Sequence, residues 1–230
     1  MTMGLAVLET RLGMASATPL IQAVDAQLGV DGLFLRKLAC LARGDFSGAE
    51  QYRRQAELAA LQANSRPMFE STLGVELVTY ALANDLTGVE QVAQRIGALA
   101  AHHSGWRAHA QLAEGLRLRL CGDLPLAAAA LEQALALCRP DPSEPARTIL
   151  AWPSVTSAYI EVESELGHHA RARAVGEEAL ALSEQLGSAI AAFPISTSLA
   201  LAEGRAGDLQ SAAARLDAVI EAQRALKIAG

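Results

Sequence analysis

Five histidines and three cysteines are the side chains of this 230-residue chain best suited to metal or nucleophilic chemistry. His102, His103 and His109 form one group and His168 and His169 another. Two histidines bind one metal from a helix when they sit four residues apart, on one face. The spacings here are one, six and seven, and no HExxH occurs, so these are read as solvated histidines at loops and helix ends. Cys40, Cys121 and Cys138 are odd in number, which does not fit a secreted disulfide framework. Cys121 and Cys138 would stand about 25 Å apart along one helix. Glu161 and Glu165 lie four residues apart, as an acid–base pair could. The same spacing is ordinary on solvated helix faces, where acids and arginines pair as in "AEQYRRQAE". The two lysines, Lys37 and Lys227, precede Leu38 and Ile228, which excludes a GxxxxGK[ST] phosphate loop. No GxSxG elbow and no calcium-binding loop is present. A non-enzyme without metal or cofactor is the expectation.

The elements that carry these residues follow from composition. The chain holds 48 alanines and 35 leucines, both of which enter helices at low entropic cost. Aromatic residues make up only 4%, and the β-branched strand formers are thin. The net charge of −6 argues against a nucleic-acid backbone as partner. The N-terminus lacks a basic leader, and the longest apolar run, Ser188 to Ala202, contains Pro194 and falls short of a membrane span. A cytoplasmic, all-α protein is expected, with no membrane partner and with its oligomeric state left open.

A short turn recurs. Gly44-Asp45, Asn84-Asp85, Gly122-Asp123, Gly167-His168 and Gly207-Asp208 stand 40, 38, 45 and 40 residues apart. Gly or Asn suits the left-handed residue that ends a helix, and Asp caps the next one. His168 departs from this chemistry. Five residues after each turn stand Ala49, Val89, Ala127, Ala172 and Ala212; twelve after it stand Ala56, Ile96, Ala134, Ala179 and Val219. Positions seven apart share a helix face, and small residues there let two helices approach closely.

These turns and columns resemble the tetratricopeptide repeat over residues 30 to 227, strongly in the second helix of each unit and weakly in the first. The period exceeds the usual 34 residues, as in the divergent, long-pitched arrays of large bacterial signalling regulators, among them maltose-activator-type transcription factors, related ATPases and kinase fusions. The resemblance implies a right-handed α-solenoid of about five helix-turn-helix repeats in a single domain, 1–230, with an N-terminal capping hairpin over 1–29. The expected helices are 3–13, 18–28, 32–43, 46–63, 68–83, 86–101, 105–121, 124–138, 153–166, 169–186, 194–206 and 209–227. Pro140, Pro142 and Pro145 mark a loop at 139–146. The resemblance also implies a protein or peptide partner held on the first helices. Trp106, Arg107, Gln111, Glu114, Trp152 and Tyr159 are the candidate partner-binding residues. The alternative is a sensor with a small molecule or peptide inside the superhelix, regulating a separate catalytic or DNA-binding component.

Overall fold

A computed structural model describes residues 32–33, 36–37, 40, 45–62, 73–141, 143 and 151–228. The expected helices 3–13 and 18–28, and the capping role given to 1–29, lie outside them. Nine α-helices stand among the described residues: α1 (Phe46–Gln62), α2 (Leu73–Leu82), α3 (Leu86–His102), α4 (Arg107–Leu120), α5 (Leu124–Cys138), α6 (Trp152–Glu165), α7 (His169–Gln185), α8 (Ala189–Arg205) and α9 (Leu209–Ile228). A single 3-10 turn, Ser104–Trp106, leads into α4. None of the described helices is long and apolar enough to cross a membrane. The chain divides into two compact units, Met1–Gly88 and Val89–Gly230.

The turns form as their residue types require. Asn84, Gly122, Gly167 and Gly207 all take positive φ, at 55°, 82°, 81° and 88°. The residue after each sends its N–H back to a carbonyl five residues earlier: Asp85 to Tyr80, Asp123 to Leu118, His168 to Glu163 and Asp208 to Glu203. These bonds satisfy carbonyls that a helix end leaves open. The aspartates then cap the following helix. Asp45 accepts from the N–H of Gly48 at 2.9 Å, Asp85 from Gly88 at 3.0 Å and Asp208 from Ser211 at 3.1 Å. Asp123 accepts from Leu126 at 3.4 Å, the longest of the four.

In the first unit, Lys37 and Glu76 form an ion pair of 2.6 Å with both side chains buried. The Lys37 ammonium also lies 5.5 Å from the centre of the Tyr80 ring. Burial, with Glu76 next in weight, pushes the Tyr80 hydroxyl up to about 12. That ring packs over Gly88, where a Cβ would fall 2.2 Å from it.

In the second unit the helices pack in chain order. α4 packs on α5, α6 on α7 and α8 on α9. The second helices α5 and α7 also touch the following first helices, α6 and α8. The first helices α4, α6 and α8 lie side by side, with α6 touching both others. Ala127, Ala134, Ala172, Ala179 and Ala212 are buried along these seams. Gly115 on α4 shows how close they are: a Cβ there would come within 2.6 Å of Leu131 on α5.

One element departs from expectation. α8 begins at Ala189, not at 194, and carries Pro194 inside it. The helix starts there because Gly187-Ser188 is a sixth turn of the same kind, with φ of 63° at Gly187 and the Ser188 N–H returned to Ser183. Pro194 costs one backbone bond in the second turn and does not stop the helix.

Candidate functional site

α6 is the centre of the second unit, and its sequence builds two different faces. Trp152, Thr156 and Tyr159, at helical spacing, are all buried. A second stripe, Ser157, Glu161, Ser164 and Glu165, is polar. Glu161 and Glu165 remain partly exposed, at 15% and 23%. The buried hydroxyls of Ser157 and Ser164 have no hydrogen-bond partner.

The polar stripe is bound to both neighbouring first helices. Arg119 of α4 donates to Glu161 at 2.6 Å and to Glu165 at 2.5 and 3.1 Å. Arg205 of α8 donates to Glu165 at 3.2 Å, and the Ser198 hydroxyl to Glu161 at 2.8 Å. One ladder of charge thus crosses three successive first helices. It satisfies two half-buried carboxylates that would otherwise stand four residues apart as like charges. The pairing explains Glu161 and Glu165 better than acid–base chemistry does.

The second helices carry pairs of their own. Arg171 of α7 donates to Glu132 of α5 at 2.8 Å. Arg215 of α9 donates to Glu177 of α7 at 2.7 Å and to the buried Glu203 of α8 at 2.9 and 3.0 Å. The exposed Arg171–Glu132 pair fixes register more than it adds stability, because exposed pairs contribute about 0–1 kcal/mol, whereas Arg215 supplies the cation for the buried Glu203.

The six residues singled out in the sequence do not share one environment. Trp152 is 2% exposed and Tyr159 likewise. The Arg171 guanidinium sits 5.5 Å from the Tyr159 ring centre. Burial, and then the charge of Glu163, push the Tyr159 hydroxyl above its ordinary range. Trp106 is half-buried on the 3-10 turn, its ring 4.8 Å from that of His109. Arg107 is exposed, and Gln111 and Glu114 are partly exposed on α4. Glu114 pairs with Arg117 at 2.7 Å, a bond that holds its carboxyl below the usual range. The column eight residues before each turn, to which Glu114 and Tyr159 belong, is buried at Glu76, Tyr159 and Leu199. The residues on the ladder, Arg119, Glu161, Glu165, Ser198 and Arg205, come from other columns. Their one sequence signal is opposite charge two residues before successive turns, at Glu165 and Arg205.

Among the described residues, no group of three or more histidine, cysteine, aspartate or glutamate side chains is gathered as a metal would need. The chain matches no protein-family profile and no characterised protein.

Proposed function

We propose that this chain is a non-catalytic interaction module, a tetratricopeptide-like solenoid that holds a protein or peptide segment along the face made by its first helices. The observation that carries the reading is the ladder from Arg119 through Glu161 and Glu165 to Ser198 and Arg205. It lines up charged and polar groups over three helices, with the Ser157 and Ser164 hydroxyls left to be satisfied. A partner with alternating charge and backbone amides complements such a strip. The order of packing in the second unit supports the solenoid: α4 and α6 each meet their own second helix and the next first helix, and contacts pass between neighbours. The exposed Arg107 and the partly exposed Glu114 add charge to another face of α4.

The test is capture of partners from lysate by the immobilised chain, comparing wild type with Ser157→Arg, Glu114→Arg and Arg205→Glu. Binding lost in at least two variants, with unchanged helical circular dichroism, is the expected result. Partners retained at wild-type level by all three folded variants would remove the first-helix face as the recognition surface.

A further inference from the structure

A cleft of about 170 Å³ opens between α5, α6 and α7. Leu135 of α5, Trp152 of α6, and Val175, Ala179 and Leu182 of α7 supply its apolar wall. Thr156 of α6 also lines it. Thr156 is 1% exposed, and its Oγ1 is buried without a hydrogen-bond partner. Its hydroxyl differs from those of Thr79 and Thr197. Thr79 donates to the Val75 carbonyl at 2.7 Å and Thr197 to the Phe193 carbonyl at 2.9 Å, each four residues back. Leaving a buried hydroxyl unpaired is costly, and a cleft beside it allows an incoming group to pair with it. At the solvent edge, Arg139 and Glu178 join the ends of two walls, α5 and α7, through an ion pair whose side chains are more than half exposed.

We infer that this cleft is a binding site for a small free molecule: a compact apolar ring carrying one hydroxyl or carbonyl, with the ring against Trp152 and the polar atom on Thr156 Oγ1. The volume sets the size. An apolar cavity of about 150 Å³ is known to take benzene, so the cleft holds a single six-membered ring and little more. The lining sets the polarity, since apart from the charged rim of Arg139 and Glu178 one hydroxyl stands among apolar side chains. The Arg139–Glu178 pair restricts the entrance, which favours a free ring over a side chain attached to a peptide backbone. The site uses α5 and α7, which the proposed recognition face does not, so either reading stands or falls without the other.

Phenol and benzene are the probes, alike in ring and different by one hydroxyl. The chain has two tryptophans, so Trp106→Phe leaves Trp152 as the sole residue excited at 295 nm. In that background phenol should change the Trp152 emission saturably, in the millimolar range or below, and bind about fivefold more tightly than benzene, the effect of one hydrogen bond. Thr156→Val, equal in shape, should erase that preference while keeping benzene binding. Val175→Phe, at a half-buried wall position, should abolish both; Ala179→Met provides the same block should Val175→Phe not fold. No saturable change with either probe would overturn the inference, as would a phenol preference that survives Thr156→Val, or binding that survives a folded blocking variant.

Discussion

His168 Nδ1 lies 2.8 Å from Glu163 Oε2, across the turn made by Gly167. Glu163 is 3% exposed, and its other oxygen is 3.8 Å from Arg171. This is why a histidine stands where the other turns have aspartate. Its side chain makes no bond to the first turn of α7 and is turned back to a buried carboxylate. Glu203, at the same position four residues before Gly207, is served instead by Arg215. In earlier repeats that column holds Cys40, Tyr80 and Leu118, which need no cation.

The first prediction concerns this pair. His168→Ala removes a partner of a buried carboxylate and should cost about 1–2 kcal/mol, the range for a hydrogen bond to a charged group with one exposed member. Urea unfolding measures it. A midpoint equal to wild type would show that Arg171 and Tyr159 satisfy Glu163 without the histidine.

Trp152 and Glu114 should behave oppositely. Trp152→Ala empties a buried position and should cost about 3–5 kcal/mol. Glu114→Arg, on an exposed stretch of α4, should change stability by about 0.5 kcal/mol or less. Thermal melting of both variants decides whether the tryptophan is a packing residue or an exposed anchor.

Lys37 and Glu76 form a buried pair. Glu76→Gln should destabilise strongly, by about 3–5 kcal/mol, because it removes the counter-charge of a buried ammonium. The double variant Lys37→Met, Glu76→Leu should recover most of that loss. Equal losses in the single and double variants would mean that shape, not charge, matters at this position.

Turn chemistry makes a prediction of both signs. Asn84→Gly relieves a left-handed non-glycine residue and should raise the melting temperature slightly. Gly122→Ala imposes that conformation on a Cβ and should cost about 1 kcal/mol. If both substitutions leave the melting temperature unchanged, the turns are not strained at these residues.

Thiol labelling reports on packing. Cys121 is exposed and Cys138 is buried, its thiol pushed up to about 12 by desolvation. The thiolate is the reactive form, so iodoacetamide at pH 8 should modify Cys121 within minutes and leave Cys138 untouched until the chain unfolds. Raising the pH to 9 should not expose Cys138, which remains protonated there. Mass spectrometry of labelled peptides reads the result.

What sequence determined is local. A glycine or asparagine followed by a capping residue sets where a helix stops and the next starts, because both effects act within about four residues. Spacing likewise places Ala127 with Ala134, and Ala172 with Ala179, on one face of their helices, and both pairs are buried. α5 accordingly runs from 124 to 138 as its sequence predicts. Gly187-Ser188 obeys the same rule, and only the weight given to Pro194 obscured it. The candidate site was far less legible. Sequence singled out Trp152 and Tyr159 as partner-binding candidates, but did not show that both turn inward, since this depends on which helices flank α6. Tertiary structure alone joined Arg119 to Glu165, 46 residues away, and brought α5 and α7 close enough to leave a cleft beside Thr156. A local pattern specifies which residues share a face; the packing of neighbours, acting over whole repeats, decides what that face meets.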